Sequence, residues 1–314
     1  MSKAANQFTP RFRWQFLTPR YWTVWLGMLM LWLLSLMPWQ LRQWLAHKLG
    51  DRLAARPGNR QRVARINLAM AFTDKSEEER KLMLRDLYRT LVQSMLDYGI
   101  LWWGSEHRLR RLIKIQGAEH LARAVSSEKP VILLTAHSIV LDYGATAFTL
   151  DYPGVGLIKP AKNALLDWFM ARGRLRFNST LFERKSGLRP VIKAIRQGSL
   201  FYYLPDEDLS HVEGSDWVFA PFFGVPAVTI TSLGKLARMT GAQVLPVMTS
   251  YVGKGKYEFR IEPALENFPS GDVQRDAERQ SEVLEQMIRL HPEQYMWTLT
   301  VYRTRPDSAP SPYL

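Results

Sequence analysis

The 314-residue chain contains no cysteine. Disulfides, thiolate metal sites and cysteine nucleophiles are therefore excluded. It also has no GxSxG nucleophile elbow, no HExxH zinc pair and no P-loop, so a serine hydrolase, a zinc protease and an ATPase find little support. Gly154 and Gly156 make only GxG, without the third glycine of a dinucleotide-binding turn. There is no internal repeat and no long low-complexity tract. Acidic residues are in short supply, 29 against 42 Lys and Arg, which leaves a net charge of +13. Such a balance favours an anionic partner (nucleic acid, anionic lipid or an acidic protein) and says nothing about fold.

What the chain does have is apolar surface. The hydrophobic fraction is 46%, enough for a sizeable core, and the length fits one large domain with an appendage. Eleven tryptophans are many for this length, and Trp favours bilayer interfaces. The run Tyr21 to Trp39, YWTVWLGMLMLWLLSLMPW, has no charged residue and has aromatics at both ends. Its length and belts predict a transmembrane helix. A cleaved signal peptide would end in small residues, and this run passes into Gln40-Leu41-Arg42 instead. The heavier basic flank, Arg42 to Arg65, lies downstream and places the body of the chain in the cytoplasm; because Lys3, Arg11, Arg13 and Arg20 make the upstream flank basic too, an interfacial helix is the alternative. Next, Leu41, Trp44, Leu45, Leu49 and Leu53 share a helical face, while Lys48, Arg52 and Arg56 form a basic row at fourfold spacing. That pattern suits anionic headgroups or an ordinary surface helix equally. The expected division is a basic segment 1–20, membrane and interfacial helices 21–56, and a catalytic domain 57–314.

Beyond the anchor, helical patterns alternate with short apolar runs. Helices are expected at 59–72, from Ser76 with a capping box to about 103, from about 141, and at 164–175, 188–196, 229–239 and 273–290. Strands are expected at 131–135, 155–159, 200–204, 244–251 and 257–262. The alternation predicts an α/β fold: a mixed, largely parallel sheet flanked by helices, with reactive residues at the carboxyl ends of strands.

His137 and Asp142, in HSIVLD, follow the strand VILLT directly. If a helix starts just after the histidine, the carboxylate reaches Nδ1–H and leaves Nε2 free to take a proton from a hydroxyl. Spacing alone is weak, because His211 and Asp216 repeat it in a polar stretch with no strand before them. On residues alone, a satisfied histidine at a strand end competes with a catalytic one. Arg184 and Lys185 are candidate phosphate ligands or solvated charges. Asp206, Glu207 and Asp208 end another strand, as metal ligands, orienting groups or an acidic turn. Phe222-Phe223-Gly224 with Pro226 reads as an apolar loop lining an acyl tunnel or covering the core.

In order, a histidine-x4-carboxylate, an arginine segment, an acidic strand end and Leu245-Pro246-Val247 resemble the glycerolipid acyltransferase superfamily. More narrowly, the chain is similar to the late acyltransferases of bacterial lipid A biosynthesis. The resemblance is carried by RQRVARINLAMAF (60–72), HSIVLD, 163–186, YYLPDEDLS (202–210), 219–231, 236–247 and PEQYMWTLTVYRTRP (292–306). It implies an acyl carrier protein thioester as donor, with the acyl chain on phosphopantetheine and no further cofactor or metal. It implies a hydroxyl on a 3-hydroxyacyl chain of a Kdo-bearing lipid A precursor as acceptor. His137 would be the general base and Asp142 its orienting partner, with direct attack and no acyl-enzyme. Arg184 would bind acceptor phosphate, with Lys185 beside it; Asp206 and Asp208 stand where many glycerolipid enzymes have Glu-Gly, as further substrate-binding residues. The implied location is the cytoplasmic face of the inner membrane among its lipids, with one N-terminal helix and no nucleic acid partner. Rival readings are a glycerol-phosphate or lysophospholipid acyltransferase, against which the PEQYMW segment argues, and a membrane-tethered basic binding protein.

Overall fold

The computed structural model describes residues 7–314; the Lys3 charge of the upstream flank lies outside them. The chain runs through α1 (Trp22–Leu36), α2 (Trp39–Ala55), α3 (Asn59–Ala71), α4 (Glu77–Trp103), α5 (Glu106–Leu112), β1 (Ile113–Gln116), α6 (Ala118–Ser126) and β2 (Val131–Leu134). It continues through α7 (Leu141–Thr149), β3 (Gly154–Ile158), α8 (Ala164–Arg174), β4 (Ser179–Glu183), α9 (Arg189–Arg196) and β5 (Leu200–Tyr203). A hairpin of β6 (Trp217–Phe222) and β7 (Val225–Ile230) precedes α10 (Ser232–Thr240), β8 (Gln243–Gly253), β9 (Lys256–Ile261) and α11 (Val273–Arg289).

The apolar run does not make one long helix. Met37 is extended and Pro38 starts the next helix, so α1 has only 15 residues. Proline has no N–H to continue the ladder and disfavours helix at the residue before it. At 1.5 Å per residue α1 is about 22 Å long, short of a ~30 Å hydrocarbon core. Among the described residues no helix is long and apolar enough to cross a membrane. This corrects the expected transmembrane helix. Both leading helices instead lie against α4. Gly99 lets α1 approach, because a Cβ there would sit 2.3 Å from the Leu31 carbonyl oxygen; Gly50 does the same for α2 against the Arg89 backbone at 2.6 Å. A buried Arg42–Asp97 ion pair fastens α2 to α4, and Tyr257 of β9 donates to the same carboxylate at 2.7 Å. These contacts leave Trp22, Leu26, Leu29, Leu33 and Leu36 of α1, and Leu41, Trp44, Leu49 and Leu53 of α2, exposed.

The main sheet has seven strands in the order β1-β9-β8-β2-β5-β3-β4. From β8 to β4 neighbours run parallel; β9 is antiparallel to β8, and β1 parallel to β9. The expected mixed, largely parallel α/β architecture is thus what folds. β2, Val-Ile-Leu-Leu, is buried along its whole length, as a strand covered on both faces must be. Ser76 and Glu79 form the expected capping box at the start of α4. The segment expected to form a helix from 229 begins as β7: pairing with β6 holds residues through Ile230 extended, so α10 starts at Ser232. Phe223 and Gly224, both at positive φ, make the two-residue turn of this hairpin. Phe222 and Phe223 are buried in the core, Phe223 against Phe72 and Trp297, so this segment covers the core.

Candidate active site

The register of the central strands assembles the site. Leu134 of β2 pairs with Tyr203 of β5, and the two strands are parallel. Three residues beyond each of these positions stand His137 and Asp206, so they leave the sheet side by side at its carboxyl edge. Nδ1 of His137 lies 2.7 Å from Asp206 Oδ1, and the His137 backbone N–H donates to Asp206 Oδ2 at 2.8 Å. The carboxylate therefore fixes the imidazole twice over, with the neutral ring's proton on Nδ1 and its lone pair on Nε2. The loop is pinned as well. Ile139 N–H donates to the Gln294 carbonyl at 2.9 Å, Met296 N–H to the His137 carbonyl at 2.9 Å, and the Ser138 hydroxyl to the Thr249 carbonyl at 2.7 Å. The PEQYMW segment thus works as a clamp on the histidine loop.

Asp142 is not the histidine's partner, which corrects the expected pairing. Three loop residues separate His137 from α7, and Asp142, in that helix's first turn, is taken up by α4 and α8. Arg174 donates Nε to Oδ1 and a second nitrogen to Oδ2, both at 3.0 Å, and the Tyr98 hydroxyl donates to Oδ2 at 2.7 Å. Burial raises the Asp142 pKa, but the Arg174 charge and these hydrogen bonds outweigh it and hold the carboxyl below its ordinary value.

The other expected site residues divide. Arg184 follows the carboxyl end of β4, lines the cavity described below, and donates to Glu207 Oε2 at 2.8 Å. Glu207 Oε1 stands 3.6 Å from His137 Nε2, beyond a hydrogen bond. Lys185 is exposed and pairs with Glu183, away from the cavity lining. Asp208 also lies outside the lining: it accepts from the Ser210 hydroxyl at 2.7 Å and the Thr304 N–H at 2.9 Å, pinning the C-terminal segment. Neither is placed to bind substrate in the cavity. The rival pair is apart, His211 beside Arg303 and Asp216 bonded to Lys235. No cluster of potential metal ligands occurs among the described residues.

Electrostatics follow from this arrangement. Burial lowers the His137 pKa, but the Asp206 charge and hydrogen bond, with the Glu207 charge, outweigh burial and the opposing Arg184. The imidazole therefore titrates above its ordinary 6.5. Burial likewise raises Asp206, and His137 more than reverses it. The Tyr295 hydroxyl lies close enough to assist in lowering Asp206, without a hydrogen bond of ordinary geometry.

His137, Asp142, Arg174 and Arg184 open onto one cavity of about 830 Å³, within the range of ligand pockets. Its walls include Leu101, Trp102, Leu141, Phe148, Leu157 and Phe177. The site is an imidazole with an anchored Nδ1 and an unbonded Nε2, bordering a cavity with many apolar walls and two guanidinium groups.

The chain matches the family of bacterial lipid A biosynthesis acyltransferases over residues 9–304. It is 33% identical to a lipid A biosynthesis lauroyltransferase of Escherichia coli K12, covering 97% of this chain and 99% of that protein. It is 32% identical to a palmitoleoyltransferase of the same pathway and organism, covering 97% and 98%, and 29% identical to a myristoyltransferase, covering 99% and 96%. A solved structure of the 1-acyl-sn-glycerophosphate acyltransferase PlsC from Thermotoga maritima aligns over 81% of this chain and 97% of that one, at 15% identity and a TM-score of 0.37. With a family match spanning nearly its whole length and relatives up to 33% identical over almost all of both chains, the chain belongs to the bacterial lipid A biosynthesis acyltransferases.

Proposed function

We propose that the protein transfers a fatty acyl group from an acyl carrier protein thioester to a hydroxyl of a 3-hydroxyacyl chain on a Kdo-bearing lipid A precursor, with His137 as general base. The observation that carries this is an imidazole held through Nδ1 by Asp206 that lines a cavity of about 830 Å³ with many apolar walls. The acceptor hydroxyl gives its proton to Nε2 as its oxygen attacks the thioester carbonyl. The tetrahedral intermediate expels the pantetheine thiolate, which takes the proton back from the imidazolium. Asp206 stabilises the imidazolium and keeps the reactive tautomer. No acyl-enzyme forms, and no resident cofactor is needed because the acyl group arrives activated. The Arg184 guanidinium suits an acceptor phosphate, and the +13 net charge suits an acidic carrier protein. The exposed apolar face of α1 and α2, flanked by Lys48, Arg52 and Arg56, seats the protein on the cytoplasmic surface of the inner membrane, in the plane of the bilayer.

The test incubates the full chain with acyl carrier proteins of several chain lengths and separately with lipid A precursor, glycerol 3-phosphate and lysophospholipid, followed by thin-layer chromatography. A less polar product should form from the lipid A precursor alone, and His137→Ala should lose at least about 10²-fold in rate. Normal turnover by a folded His137→Ala protein would refute the mechanism.

A further inference from the structure

Glu207 occupies an odd position for a site that must admit a hydroxyl to Nε2. One of its oxygens stands 3.6 Å from that nitrogen, and the other accepts from Arg184 at 2.8 Å. The groups facing the imidazole are Asp206 and Glu207 from the segment after β5 and Arg184 from the turn after β4; Tyr295 approaches Asp206 from the PEQYMW clamp. Asp206 already satisfies Nδ1, so Glu207 is not needed for the tautomer. It crowds the one nitrogen that must accept the substrate proton. Its charge also holds that nitrogen protonated to higher pH. Both effects oppose a general base at rest.

We propose that the Arg184–Glu207 pair is a latch that the substrate's own phosphate releases. Arg184 borders the cavity and is the partner that holds Glu207. A phosphate group matches the guanidinium fork, and a phosphomonoester also carries more charge than a carboxylate, so it displaces Glu207 from Arg184. Once unpaired, Glu207 turns toward solvent, and Nε2 is cleared and more easily left neutral. Only a substrate bearing phosphate at the right distance then meets a competent base, so Glu207 acts as a specificity-determining positioning residue. This rests on the general-base reading above. The phosphate belongs either to the acceptor glycolipid or to the donor's phosphopantetheine.

The experiment measures kcat and KM against pH for the full chain and for Glu207→Gln and Glu207→Ala, each checked for unchanged melting. One arm compares the phosphorylated acceptor with the same acceptor after phosphatase treatment. The other compares acyl-phosphopantetheine with acyl-pantetheine as donor. With the native chain, removing the releasing phosphate should lower kcat by about 5- to 150-fold, the usual span of a coupling between sites. In both variants the same removal should raise KM and leave kcat within about twofold, and with the dephosphorylated substrate their acid limb of kcat should lie at lower pH than the native chain's. The arm that shows this difference identifies which substrate carries the releasing phosphate. Equal kcat losses in native and variant proteins in both arms would overturn the latch. So would a loss of kcat in both variants toward fully phosphorylated substrates. The general-base reading fails separately, through retained activity of His137→Ala.

Discussion

At the scale of single residues, the structure separates two carboxylates that the sequence presents as equivalent candidates. Asp206 holds the imidazole, while Asp142 neutralises Arg174 and receives Tyr98. They should fail differently. Asp142→Ala strands a partly exposed guanidinium, so the loss should be below the ~3–5 kcal/mol of a fully buried pair yet still measurable. Thermal unfolding of Asp142→Ala should show a melting temperature several degrees below that of the native chain. Equal melting of Asp142→Ala and the native chain would show that the Arg174 pair is not structural. The sequence points to His137 through the apolar strand before it, and that context also sets it apart from His211. It does not point to Asp206 as the orienting group. The histidine and its partner lie 69 positions apart, and only the parallel register of β2 with β5 brings them together. Once Val131–Leu134 and Leu200–Tyr203 are taken as neighbours, counting three residues past each strand finds the pair. The neighbour relation itself is a tertiary fact.

At the scale of elements, composition was a good guide to burial and a poor one to continuity. The uncharged run from Tyr21 is legible as an apolar helical segment, but not its break, because Pro38 counts as apolar while ending a helix. The β6–β7 hairpin was hidden for a related reason. Its turn is Phe223-Gly224, without the Asn-Gly or Asp-Gly signal, and a phenylalanine at positive φ is held there by burial, by the Glu285 carboxylate on its N–H at 2.6 Å, and by the Arg289 guanidinium 4.7 Å from its ring centre. In α2, Ala46 and Gly50 face α4, and the larger apolar residues face outward with the basic row. If that face lies on anionic lipid, each cation contributes about 1 kcal/mol. Lys48→Gln, Arg52→Gln and Arg56→Gln together should then weaken binding to vesicles containing phosphatidylglycerol about 10²-fold. Sedimentation with vesicles at low and moderate salt reads this directly. Unchanged partitioning would show that the apolar face alone holds the protein to the membrane.

At the scale of the whole molecule, the site is where the fold class says it should be. His137, Asp206 and Arg184 each follow the carboxyl end of a strand in the parallel part of the sheet, β2, β5 and β4. The cavity collects beneath them, between the sheet and the helices that carry Tyr98 and Arg174. That architecture was readable from alternating patterns of period two and period 3.6; the strand order, which decides who meets whom, was not. The central claim is that Asp206 orients and charges the base. Because the Asp206 carboxylate raises the His137 pKa, and the base must be neutral to act, removing that charge moves the acid limb of the rate to lower pH. The most direct measurement is therefore the pH–rate profile of Asp206→Asn beside the native enzyme, with saturating acyl donor and lipid A precursor. The predicted result is a plateau at least about 10²-fold lower, with its acid limb displaced to lower pH. A plateau near the native value, with an undisplaced limb, would contradict the account.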